Sequence, residues 1–395
     1  MSAFARGGKQ SVIRAVRFPE LLGARGLLAI GVVFCHADIR PLFWLISLMD
    51  CFFVLSAFLI TLSLLESPAV TIRGKLRRFY VRRVARIFPG YYALLLGIAV
   101  LLLLIAVLGS RYKLHVYSLT ELLPYVIYAQ YVDLIGTTNE YAIWDHGIRF
   151  LDHTWSLAIE EQFYLLWGFL FFAAYRPWMK AVVAVLFVIV GVTSRASGLI
   201  VSPLIPYRLD GFGYGILLAL LYFHVASKAA PEKLRDWSRM GALVMVLAFL
   251  IFLQGSGIFA VYYHWIVDGQ AIDYFQWTPM SIMSCLASAG LVATLVLGGG
   301  SRWSSWLRMR IPMYLGQISY ALYLVHYPIL DILLYINTRL LPIGRVGNTI
   351  VGIGTALLLA HLLTRVLDRA QRRLIEWGDP SPKQALPSDP KPQAA

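Results

Sequence analysis

Charge is scarce in this chain. Only 14% of its 395 residues are charged and 59% are hydrophobic, where soluble domains carry about a quarter charged residues. With a mean hydropathy of +0.68, an ordinary soluble globular protein is excluded. Cysteine is scarcer still. Cys35, Cys51 and Cys285 all lie in apolar runs, so no disulfide framework is implied. Cys35 adjoins His36 but is read as packing, because helix neighbours do not face each other. The chain has no Gly-x-Ser-x-Gly elbow, P-loop, dinucleotide fingerprint or metal-ligand spacing. Neither a metal nor a nucleotide redox cofactor is expected. Acidic residues are outnumbered by basic ones, 21 to 35, giving a formal net charge of +14. On a soluble chain this would suggest nucleic acid. Here cytoplasmic loop charge explains it, and no nucleic-acid partner is expected.

What the chain has instead is apolar runs. Stretches of membrane-spanning length lie near 19–37, 42–65, 88–110, 153–174, 179–194, 209–225, 240–255, 279–298, 313–336 and 348–366. The fifth and sixth are the weakest, being short and flanked by Arg195 and Arg208. The expected fold is an all-α polytopic integral membrane protein of about ten transmembrane helices. With the N-terminus in the cytoplasm, 26 Lys and Arg fall in inner segments and 8 in outer loops, Arg195 and Arg208 among the latter. This split places both termini in the cytoplasm. The N-terminus is basic and then turns apolar, like a signal peptide, but no small-residue cleavage site follows, so it reads as a first span that stays. The expected division is a basic cytoplasmic N-terminus (1–17), a transmembrane domain (18–366) and a Pro-rich, disordered cytoplasmic tail (367–395). The long outer loop from Arg111 to Asp152 contains "SLTELLPYVIYAQYV", which reads as an interfacial helix. The loop from Gly255 to Thr278 sets His264, Asp268 and Asp273 among aromatics. That dressing suits a carbohydrate surface or a membrane-interface belt.

Four stretches carry ionisable groups where a bilayer makes them costly, about 2.5 kcal/mol or more on insertion scales. In "ARGLLAIGVVFCHAD", Arg25 and His36 are eleven residues apart. On a helix that is about 20° past three turns and about 16 Å of rise. One face thus carries a fixed cation near the inside and a titratable base towards the outside; snorkelling at the two interfaces is the alternative. In "WSLAIEEQFYLLW", Ser156, Glu160, Tyr164 and Trp167 form one polar-aromatic stripe beginning beside Trp155. Glu161 lies about 100° away, on the face of Leu157, Leu165 and Gly168. Only Glu160 is therefore expected at a polar seam, unless the stripe is a structural ion pair. "RGKLRRFYVRRVARIFP" packs seven basic residues into one stretch, Arg83 and Arg86 one turn apart. It suits anionic lipid or a phosphate grip. "ISYALYLVHYPIL" repeats Ser319, Tyr323 and His326 near helical spacing. His326-x4-Asp331 superficially matches the HxxxxD box of soluble glycerolipid acyltransferases. The match is set aside, because Asp331 is off the histidine's face and Pro328 intervenes.

At these stretches the sequence resembles the membrane acyltransferase family 3, the O-antigen and exopolysaccharide acetylases of bacterial inner membranes. Arg25 and His36 match its Arg-x10-His motif. "MDCFFVLSAFLI" resembles "VDLFFVLSGFLI", with Asp50 and Ser56 in register. "FYVRRVARIFP" resembles its Arg-x-x-Arg segment through Arg83 and Arg86. "HTWSLAIEEQFYLLW" is similar to "WSLSVEEQFYLLW", and "SYALYLVHYPIL" to "SYSLYLWHWPVL". Leu22 stands where the family has Asp, and Ala57 where it has Gly. The first departure removes a partner for Arg25. The resemblance covers residues 18 to 366 and implies a stand-alone form without a periplasmic hydrolase-like domain.

The resemblance implies transfer of an acyl group, most simply acetyl, from cytoplasmic acyl-CoA to a hydroxyl of an exported or lipid-linked glycan or glycosylated product. The bacterial inner membrane, its lipid, acyl-CoA as co-substrate and a saccharide or glycoconjugate acceptor follow as expected setting and partners. In this reading Arg83 and Arg86 hold the CoA phosphates and Arg25 orients the donor. His36 is general base or nucleophile, and Glu160 fixes its tautomer. Asp50, Ser56, Trp155, Ser156, Tyr164, Tyr323 and His326 are expected to contact substrate or support the site. The competing class is a multi-pass transporter or flippase for a glycan or lipid-linked substrate, which also buries polar residues in spans.

Overall fold

The computed structural model describes residues 18–37, 45–69, 71–112, 122–130, 148–197, 204–225, 231–255, 278–298, 302–339 and 344–378. The basic N-terminus, the loop with His264, Asp268 and Asp273, and the last residues of the tail lie outside them. Among the described residues the protein is all-helical, with ten helices of at least 17 residues. These are α1 Pro19–Cys35, α2 Leu48–Leu65, α3 Ile72–Tyr112, α4 Trp155–Ala173, α5 Pro177–Ser197, α6 Ile205–Val225, α7 Pro231–Gly255, α8 Thr278–Leu297, α9 Arg310–Arg339 and α10 Gly344–Gly378. Five stretches are long and apolar enough to cross a membrane: Leu45–Leu65, Ile72–Leu104, Pro177–Ser197, Arg310–Asn337 and Val346–Gly378. The protein is a multi-pass membrane protein. Helices suit that setting because each satisfies its own backbone groups without water.

Helix starts and breaks follow local chemistry in part. Pro19 opens α1, where its missing N–H costs nothing. Pro89 lies inside α3 and Pro328 inside α9, and neither ends its helix. At 41 residues, α3 is about 60 Å long, twice the hydrocarbon core of a bilayer at about 30 Å. Its first turns, with Arg73, Lys75, Arg77, Arg78, Arg82, Arg83 and Arg86, are thus a helical extension of the span and not a separate loop.

Three other expectations change. Arg195 and Arg208 are not outer-loop charges; they are helical and buried, 1% and 5% exposed. Opposite charges on neighbouring helices draw them in. The tail does not begin at 367, because α10 continues to Gly378; the first strong breaker after the span is Pro380. The described part of "SLTELLPYVIYAQYV" holds one helical turn, Leu123–Val126, with Tyr125 and Tyr128 buried. The Tyr91 and Tyr92 hydroxyls of α3 donate to the carbonyls of Tyr125 and Val126 at 2.8 and 2.9 Å. The turn is folded onto the bundle.

Packing sets the site. α1 lies against α9, α9 against α10, α2 against α6, α5 against α6 and α7 against α8. Because lipid is as apolar as leucine, close fit rather than water exclusion holds such helices together. Outward positions such as Leu96, Val100, Leu103 and Leu104 on α3 and Val185, Leu186 and Ile189 on α5 are exposed and apolar, as lipid-facing surface should be.

Candidate active site

The stripe on α4 faces the bundle interior and organises a polar seam. A 3-10 turn, Arg149–Thr154, leads into α4 and places His153 one turn before Ser156. His153, Ser156, Glu160 and Tyr164 lie at i, i+3, i+7 and i+11, a row about 16 Å long. α1 brings His36 to the His153 end and Arg25 to the Glu160 end.

At the first end three imidazoles meet. His326 Nε2 is 3.2 Å from His36 Nδ1, and the His36 Nδ1 is also 3.0 Å from the Val32 carbonyl. His326 is fully buried. Its Nδ1 lies 2.8 Å from the Tyr323 carbonyl and 3.1 Å from that of Leu322. The His153 ring stacks on Tyr327, centroids 5.2 Å apart, and sits 5.3 Å from His326. Tyr327 also receives the edge of His36 at 5.0 Å. Both His153 ring nitrogens are buried without a hydrogen-bond partner among the described residues. Just below, the Tyr323 hydroxyl donates to the His153 carbonyl, so the Ser156 hydroxyl donates to Tyr323 at 2.9 Å.

At the other end the cations gather. Glu160 lies within electrostatic reach of Arg25, Arg86 and Arg83. The Tyr164 hydroxyl donates to Glu160 at 2.8 Å, and the Ser56 hydroxyl in turn donates to Tyr164 at 2.5 Å. The Arg83 guanidinium sits over the Tyr164 ring at 5.8 Å. No ion pair joins Arg25, Arg83 or Arg86 to a described carboxylate. The Nε atoms of Arg25 and Arg83 are buried without a hydrogen-bond partner among the described residues. Glu160 lies among all three cations, Glu161 near Arg83 and Asp368 near Arg86; the donors left over, the Arg25 and Arg83 Nε atoms among them, can serve an anion.

The structure thus brings together Arg25, His36, Ser56, Arg83, Arg86, Ser156, Glu160, Tyr164, Tyr323 and His326. Two expected pairings change. Glu160 bonds Tyr164 and makes no contact with His36, whose partner is His326. Glu161, expected away from the seam, has one oxygen buried without a hydrogen-bond partner among the described residues, and it feels Arg83. Arg83 of α3 reaches Glu161, while Leu165 and Phe169 further along α4 stay exposed.

Asp50 and Trp155 belong to a second, buried network. Arg195 pairs with Asp210 at 2.9 Å and with Asp50 at 3.3 Å, and Arg208 pairs with Asp50 at 2.9 Å. The Arg208 guanidinium also covers Trp155 at 5.1 Å. Two Arg and two Asp cancel in charge and tie α2, α5 and α6 together. Asp210 and His153 were missed in the sequence. The i, i+3 step from His153 to Ser156 signals the histidine, and the charge pattern Arg208-x-Asp210 at the start of an apolar run signals the aspartate.

A family model described as an acyltransferase domain matches residues 18–365. The chain is similar to the peptidoglycan O-acetyltransferase OatA of Listeria monocytogenes, with 22% identity over 380 residues, covering 90% of this chain and 56% of that protein. It is also similar to the O-acetyltransferase OatA of Staphylococcus aureus, with 26% identity over 324 residues, 79% of this chain and 50% of that protein. The chain spans about half the length of these curated relatives. No solved structure matches it.

Proposed function

The chain belongs to the membrane acyltransferase family 3, and on that premise we propose that it transfers an acyl group, acetyl in the first instance, from cytoplasmic acyl-CoA to a hydroxyl of an exported or lipid-linked glycan. The observation that carries the reading is the seam itself. Unpaired arginines stand at one end and a histidine with a free ring nitrogen at the other, about 16 Å away along α1. A charged CoA cannot cross a bilayer, but its flexible pantetheine arm can thread a polar seam of this length.

In this reading all ten long helices span the bacterial inner membrane, with both termini in the cytoplasm. Arg83 and Arg86, on the inner extension of α3, grip the CoA phosphates, and Arg25 steers the arm. Glu160 and Tyr164 hold these guanidinium groups in place. His36 Nε2 takes the proton of the acceptor hydroxyl while that oxygen attacks the thioester carbonyl. The C–S bond breaks and the proton passes to the leaving thiolate. In the covalent variant His36 Nε2 attacks first and CoA leaves as the thiolate; the hydroxyl then takes the acyl group from the acylimidazolium, and its proton passes to the thiolate.

The test uses purified protein in lipid vesicles with radiolabelled acetyl-CoA, together with mass spectrometry of surface glycans from cells with and without the gene. Thiol release, and an acyl mass increment on glycan that is lost with the gene, are expected. Glycan movement without thiol release would overturn the reading in favour of a transporter.

A further inference from the structure

We infer that His326, not Glu160, is the residue that positions His36, by fixing which ring nitrogen of His36 carries the proton. This rests on His36 acting as base or nucleophile. The acceptors around His326 decide its tautomer. The two oxygens near His326 Nδ1, at 2.8 and 3.1 Å, are backbone carbonyls, which can only accept. Nδ1 therefore bears the hydrogen. A neutral imidazole has one N–H, so His326 Nε2 carries a lone pair.

That lone pair faces His36 Nδ1 at 3.2 Å, and the Val32 carbonyl faces the same atom at 3.0 Å. Both neighbours are acceptors, so His36 Nδ1 bears its hydrogen and shares it. The lone pair of His36 is left on Nε2, which has no hydrogen-bond partner among the described residues. This is the atom either reaction route requires. When Nε2 gains a proton or an acyl group, the ring becomes cationic and the bond from Nδ1–H to His326 becomes charge-assisted. His326 cannot swing away, because its own Nδ1–H is held by the backbone of its helix and its ring is packed against His153 and Tyr323.

Glu160 cannot take this part. It lies seven residues beyond His153, about 10 Å further along, whereas His153, in the 3-10 turn before α4, is the neighbour of His326. Its carboxylate is engaged by Tyr164.

Steady-state kinetics of His326→Leu and His326→Gln test the inference, with His36→Ala alongside. Leucine keeps bulk but offers no acceptor; the glutamine amide oxygen can accept from His36 Nδ1–H. His326→Leu is expected to lower kcat about 100-fold with the acyl-CoA KM within about twofold. His326→Gln is expected to recover at least about a tenth of wild-type kcat. Equal loss in both variants, or loss that follows a lowered melting temperature in both, assigns His326 to packing and overturns the inference. So does a near-normal kcat in His326→Leu. An active His36→Ala protein would instead sink the reading on which the inference stands.

Discussion

Gly26 and Gly316 face each other where α1 crosses α9, with no room for a side chain between them. A Cβ on Gly26 would sit 2.5 Å from the Gly316 nitrogen, and one on Gly316 would sit 2.0 Å from the Leu22 carbonyl oxygen. The contact is backbone on backbone, which only glycine permits. It also sets the spacing at which His36 meets His326, ten residues further along each helix. Gly316→Val should therefore separate the helices, at a cost of roughly 1–3 kcal/mol. The expected outcome is a lower melting temperature together with a kcat loss larger than the loss of folded protein. Wild-type kcat in the folded fraction would disconnect this crossing from the site.

Replacing His36 with alanine removes the nitrogen at the reacting centre. Transfer should fall at least about 100-fold while membrane insertion and expression stay normal. Thiol release from acetyl-CoA, read beside a membrane-fraction blot, checks both halves. Retained transfer would exclude the base and the nucleophile roles together.

Arg83→Ala and Arg86→Ala should each raise the acyl-CoA KM. A charge-assisted contact of about 1.5–3 kcal/mol corresponds to roughly 10- to 150-fold. Lysine at either position should restore only part, since it cannot make a two-pronged grip. A donor titration decides. If KM is unchanged and the protein inserts poorly, these arginines set topology alone.

Asp50→Ala should damage the protein in a different manner. It removes the carboxylate that Arg208 meets at 2.9 Å and Arg195 at 3.3 Å. Breaking a buried pair from one side costs about 3–5 kcal/mol. The measurement is thermal unfolding in detergent, with kinetic constants of the surviving protein near wild type. A donor or acceptor KM shift without loss of stability would instead put Asp50 in a substrate site.

The sequence showed the helices well and their ends poorly. Apolar runs mark where a chain enters lipid, but charge does not stop a helix that continues into water, so α3 and α10 outrun their spans. Pro89 and Pro328 fall within the expected spans and sit inside helices that packing holds. Arg25, His36 and Glu160 were legible because a single helix face displays each beside other polar residues. The meeting of His36 with His326 was not, because spacing within one helix says nothing about which other helix it will face. For the same reason Glu161 was set outside the seam on α4 alone, while the charge that reaches it, Arg83, comes from α3.

The neutral quartet of Asp50, Arg195, Arg208 and Asp210 has a consequence for biosynthesis. Asp50 and its partner Arg208 are 158 residues apart in the chain. At about 5–20 residues per second, α2 leaves the ribosome roughly 8 to 30 s before the arginine that neutralises it. Until then a bare carboxylate stands in or beside the bilayer, where it is expensive. The second span is therefore a provisional guest of the membrane, waiting at the insertion machinery or at the interface. Only the emergence of α5 and α6 lets it commit. In truncated nascent chains that end before Arg195, Cys51 beside Asp50 should stay open to aqueous thiol reagents, and in chains that extend well past Asp210 it should not.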